Sequence, residues 1–121
     1  MSNFWGAYHP TLACAKINNK NLKSVIITSG NCISKYALSG CDALTNVIIS
    51  DSVTSIEEYA FSYCSGLTSI IIPNSVTKIN GGAFYECVNL TFYCEAESKP
   101  SGWSNSWKLY NCPVVWGYKG D

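Results

Sequence analysis

Arginine is absent from this 121-residue chain, and histidine occurs once. Without guanidinium groups, bidentate recognition of phosphate or guanine is missing, which excludes the usual routes to nucleic acid. Charge is scarce, with 13% Asp, Glu, Lys and Arg together and a formal net charge of zero. It is also uneven. Lys16, Lys20, Lys23 and Lys35 stand in residues 1–40 without an acid, whereas Asp42, Asp51, Glu57, Glu58, Glu86, Glu95 and Glu97 face Lys78 alone in residues 41–97. No apolar run reaches the length of a membrane span, so insertion is not expected. The opening Met1-Ser2-Asn3-Phe4-Trp5 lacks a basic start followed by an apolar core and does not read as a signal peptide. Location stays open on this reading, between a cytoplasmic chain and a fragment of an exported one. His9 has no cysteine at ligand spacing, so no zinc motif forms. The abundant serines have no paired histidine for nucleophilic catalysis. No loop gathers carboxylates for calcium. The expectation is a non-enzyme with no cofactor and no metal.

What is present is repetition. Leu67–Asn89 and Leu44–Gly66 have the same length of 23 residues and match position by position. Leu44 answers Leu67, Val47 answers Ile70, Ile49 answers Ile72, Val53 answers Val76 and Ile56 answers Ile79. Ala60-Phe61 then answers Ala83-Phe84, and Cys64 answers Cys87. A shorter turn, 22–43, keeps Val25, Ile27, Ile33, Ala37-Leu38 and Cys41 in these roles. A period in this range indicates stacked turns that share one core, because no single turn can bury its apolar set alone.

Each turn divides into three pieces. The first is a β-branched run: Val25-Ile26-Ile27, Val47-Ile48-Ile49 and Ile70-Ile71-Ile72. The second is a shorter extended segment, clearest at 52–56 and 75–79. The third is expected to be one or two helical turns over 57–64 and 81–87, with Ser55 and Glu58 as a capping box and Gly81-Gly82 loosening the later copy. Cys41, Cys64 and Cys87 fall at one position and read as small buried hydrophobes rather than disulfides, since stacked parallel Cβ vectors disfavour the bond. Cys94 and Cys112, flanking the tail, are a candidate pair. The domain plan is an N-terminal cap with a degenerate half-turn at 1–21, three repeats over 22–90 (22–43, 44–66 and 67–89), and an aromatic-rich C-terminal cap at 91–121.

The pattern Leu-x-x-Ile-x-Ile-Pro-x-Ser-Val-x-x-Ile-x-x-x-Ala-Phe-x-x-Cys, read from Leu67 to Cys87, resembles the BspA-like bacterial leucine-rich repeats. Ser52 and Ser75 stand where the general leucine-rich pattern has Asn or Cys, which agrees with this subfamily. The segment Cys94 to Trp103 is similar to the closing segment that such arrays carry in gut bacteria. The resemblance implies an α/β solenoid: a short right-handed coil with a parallel sheet on its concave face, short helical or irregular turns on its convex face, and caps at both ends. It also implies protein binding, often adhesion at a cell surface, and brings no catalytic residues.

Strand alternation then locates the candidate partner-binding face. If the fourth and sixth positions of a turn point inward, the third, fifth and seventh point outward. This places Ser24, Ile26 and Thr28, then Asn46, Ile48 and Ser50, then Ser69, Ile71 and Pro73 on the concave side, with Phe92 extending the apolar stripe. The stripe suits a protein or glycoprotein partner and equally a second copy of the chain. The bland account is that β-branched residues favour strands wherever they stand. Two further readings are an intracellular inhibitor, phage- or mobile-element-encoded, that covers a host protein, and a glycan-binding module using Trp103, Trp107, Tyr110, Trp116 and Tyr118. The bland account of those aromatics is that they close the end of the core.

Overall fold

The computed structural model describes residues 4–7, 21–28, 30–109 and 111–120. Nine strands are assigned among them: β1 (Phe4–Ala7), β2 (Ser24–Ile27), β3 (Cys32–Ile33), β4 (Asn46–Ile49), β5 (Ser55–Ile56), β6 (Ser69–Ile72), β7 (Lys78–Ile79), β8 (Thr91–Cys94) and β9 (Val114–Trp116). Every pairing is parallel. The chain is a parallel β-solenoid of about four turns, consistent with a leucine-rich-repeat coil.

The longer strands alternate as their sequences require. In β4 and β6 the burial pattern runs exposed, buried, exposed, buried. Register holds the repeat positions in columns, with Val25 opposite Val47 and Ile27 opposite Ile49. The short strands β3, β5 and β7 stack Ile33, Ile56 and Ile79 on a second side, and Trp103 bridges to Ile79 beyond them. All eight inward positions of the 67–89 turn, Leu67, Ile70, Ile72, Val76, Ile79, Ala83, Phe84 and Cys87, are buried. Phe61 stacks on Phe84 with ring centroids 5.2 Å apart, and Phe84 meets Phe92 edge to face at 4.8 Å.

The third piece of each turn is not helical, and no helix is found among the described residues. Turns occupy 35–40, 58–63 and 81–86 instead. Each contains two residues in the left-handed region: Tyr36 and Gly40, Tyr59 and Tyr63, Gly82 and Glu86. A left-handed residue breaks the helical hydrogen-bond run. Alternate N–H groups reach across to the next coil turn: Leu38 donates to the Ala60 carbonyl at 2.7 Å, and Phe61 to that of Ala83 at 2.8 Å. Those between bond three residues back, as Cys64 N–H does to Phe61 at 3.3 Å. The apolar spacing that mimics a helix therefore serves a third inter-turn ladder. Nor is there a capping box, since the Ser55 hydroxyl donates to Glu57 Oε2 at 3.0 Å.

The cysteine column adds its own bonds. Cys64 Sγ donates to the Leu38 carbonyl at 3.2 Å, Cys87 Sγ to Phe61 at 3.0 Å, and Cys112 Sγ to Cys87 at 3.5 Å. Cys112 thus continues the column, whereas Cys94 faces inward from β8 opposite Ile72. The two thiols belong to different stacks, and neither carries a disulfide.

Candidate interaction surface

The outer face of the longer strands carries one residue per turn, in two registered runs on two sheets. Ile26 is opposite Ile48, Ile71 is opposite Tyr93, and Tyr93 is opposite Val115. Ile48 is 50% exposed, Ile71 45% and Val115 42%. Ile26 and Tyr93 are half-buried, the latter with its ring 5.1 Å from that of Tyr118. Thr28, Asn46 and Ser69 flank these runs as exposed polar side chains, and Ser24 and Ser50 are half-buried. Ser50 is tied into its own turn, its hydroxyl 2.7 Å from that of Ser52.

Two expected members of this face lie elsewhere. Phe92 is 0% exposed because the last turn is one residue shorter between its leucine and its first inward strand position. Leu90 to Phe92 does the work of Leu67 to Ile70, so Phe92 pairs with Ile70 and points into the core, and Tyr93 takes the outward place. Pro73 is buried as well. It follows the end of β6, where the chain turns (Val76 N–H bonds to its carbonyl at 3.1 Å) and strand alternation no longer applies.

Pro73 also marks a seam. Ser50 N–H donates to the Ile27 carbonyl at 2.9 Å and Glu95 N–H to the Ile72 carbonyl at 3.1 Å. Pro73 occupies the equivalent place between them and has no N–H to offer Ile49. β4 and β6 belong to separate three-stranded sheets, and Pro73 lies at that boundary. Ile49 and Val47, beside this gap, are 8% and 7% exposed, more than any other core side chain.

A family model described as the BspA type leucine rich repeat region matches residues 14–99 in six copies. The chain belongs to the BspA-type leucine-rich-repeat family. Comparison with curated proteins and with solved structures returns no match. Repeats of the BspA type suggest a protein-interaction module, typically a non-catalytic binding scaffold.

The other groups singled out in this BspA-type chain behave as follows. Trp103 and Trp107 are buried at 2% and 3% exposure, with rings 4.7 Å apart, and Trp107 lies 4.7 Å from Phe92. Trp103 Nε1 donates to the Val76 carbonyl at 3.0 Å. Trp116 and Tyr118 are half-buried, and Tyr110 lies outside the described residues, as does His9. No group of three or more His, Cys, Asp and Glu side chains converges among the described residues. The Glu58 carboxyl is held below its ordinary value by its own backbone N–H and by Asn80. Burial pushes the Cys94 thiol up to about 12, and the neighbouring Cys87 thiol together with burial raises that of Cys64. Burial of this kind disfavours the thiolate form in both.

A surface that sequence comparison did not single out is built by four tyrosines. Tyr36 stacks on Tyr59 at 5.4 Å, Tyr59 meets Tyr85 edge-on at 5.9 Å, and Tyr85 meets Tyr63 at 5.5 Å. The signal was present, because 36, 59 and 82 share one repeat position and 40, 63 and 86 another. Glycine at 82 and 40 marks both as positions of special backbone.

Proposed function

We propose that the chain is a non-catalytic protein-binding module that engages a protein or glycoprotein partner through the outer face of its longer strands. The observation that carries this reading is two registered outward runs, Ile26–Ile48 on one sheet and Ile71–Tyr93–Val115 on the next, with Ile48, Ile71 and Val115 exposed. Apolar side chains in register on one face make a patch on the order of a few hundred Å2, the scale at which association becomes favourable. Polar neighbours such as Asn46 and Ser69 would form its rim. Adhesion at a cell surface and occlusion of a host protein are two uses of the same face. Burial of Trp103 and Trp107 argues against a glycan site built on the tail aromatics, since a stacking platform needs an exposed ring.

The test is the double substitution Ile48→Lys/Ile71→Lys. Both side chains already project outward, so the melting temperature should hold, while capture of a partner from the natural host falls to background. Undiminished capture would move the site off this face. Gel filtration of the same pair of proteins reads the self-association alternative, in which wild type elutes as a dimer and the variant as a monomer.

A further inference from the structure

The turn side of the coil holds tyrosine where its backbone favours glycine. Two positions per turn are left-handed: Tyr36 (φ 62°), Tyr59 (φ 59°) and Gly82 (φ 74°) share one, and Gly40 (φ 80°), Tyr63 (φ 61°) and Glu86 (φ 61°) share the other. Glycine adopts these angles freely, whereas a residue with a Cβ is strained there. The repeat accepts glycine at both places, so the fold does not call for an aromatic ring. Nor do the rings fill the core, for Tyr36 is 41% exposed, Tyr63 53% and the neighbouring Tyr85 41%. Gly82 has a local reason of its own, because a Cβ there would stand 2.8 Å from the Tyr59 ring.

Two clefts, each of about 490 Å3, open against this chain of rings. Glu58 and Ser106 join Tyr59 and Tyr85 in the first. In the second, Tyr63 lies with Asp42, Glu86, Ser65 and Val88, and no lysine lines it. Asp42 and Glu86 make no ion pair among the described residues. Lys108 lines the first cleft, where it donates to the Leu109 carbonyl at 3.1 Å, and Lys35 stands 5.9 Å from the centre of the Tyr36 ring; the second cleft is the acidic one. Tyrosine offers rigid, amphipathic contact area at small entropic cost, and its ring face attracts a cation.

We propose that this tyrosine face is a second binding surface, separate from the strand face, and that it takes a basic segment of a protein partner. Arginine or lysine side chains would lie against Tyr63 and Tyr85, with Asp42 and Glu86 neutralising them. Neutral sugars also stack on tyrosine; an acidic cleft without a lysine favours the cation.

The experiment titrates the protein with a tetra-arginine peptide, a tetra-glutamate peptide and a neutral tetrasaccharide, followed by NMR shift changes at Tyr63 and Tyr85. Tetra-arginine alone should bind, more weakly as salt is raised. Tyr63→Gly, which places glycine where Gly40 stands one turn away, should leave the melting temperature unchanged and weaken binding about fivefold, the worth of one cation–ring contact. Asp42→Asn/Glu86→Gln should weaken it as well. The proposal is overturned by binding of the tetrasaccharide instead of the peptide, by no peptide binding, or by binding indifferent to these variants. A marked fall in melting temperature for Tyr63→Gly would also overturn it, since the ring would then be kept for the fold.

Discussion

Replacing Trp103 by phenylalanine separates a core side chain from a ligand platform. The ring is 2% exposed, packs 4.7 Å from Trp107 and 5.8 Å from Trp116, and donates from Nε1 to the Val76 carbonyl at 3.0 Å. Phenylalanine removes that donor and leaves a buried carbonyl without it, which costs about 1–3 kcal/mol. Loss of the second ring opens a cavity next to Trp107 and Trp116, worth about another 1 kcal/mol. The expected destabilisation is therefore about 2–4 kcal/mol, or a fall of roughly 10 °C in Tm for a chain of this size. Urea unfolding followed by circular dichroism measures it, with an unchanged slope showing that the unfolded state is not altered. A loss below about 1 kcal/mol would refute the burial and the hydrogen bond together. Intact stability with altered glycan binding would restore the tail aromatics as a site.

Two further substitution sets bear on register and on charge. Phe92→Ala should cost about 3–5 kcal/mol, as for a buried phenylalanine, and Tyr93→Ala clearly less, because Phe92 points inward and Tyr93 outward; equal losses would mean that the register is wrong. For pH, the Cys94 thiol rises from its ordinary 9.0 to about 12 in the fold. The unfolded chain therefore loses this proton first as pH climbs, so the thiol's contribution to stability is complete below pH 9 and is lost between pH 9 and 12. Tm should decline over that window, and Cys94→Ala should flatten the decline relative to wild type. An equally steep decline in the variant would assign the effect to other groups.

The repeat and its inward positions were open to reading because identical apolar spacing recurs at 44–66 and 67–89, and burial follows it residue by residue. The misplacements share a cause. Where the chain leaves the regular strand, spacing no longer determines direction: Pro73 sits at a turn, and the missing residue between Leu90 and Phe92 reverses which face Phe92 meets. The turn pieces read as helical because Ala60, Phe61 and Cys64 have helical spacing. The contrary signal was glycine at Gly40 and Gly82, whose positions in other turns hold Tyr36, Tyr59 and Tyr63. The seam between β4 and β6 was also legible in part, since a proline at the strand end removes a ladder donor. The tyrosine surface was not, because its four rings come from three turns and meet only when these are stacked.

Hydroxyl-radical footprinting of the chain, free and bound to a captured partner, tests the strand-face reading most directly. Protection of Ile48, Ile71, Tyr93 and Val115 on binding is the predicted result. Equal oxidation of Ile48 and Ile71 in the free and bound states would contradict it.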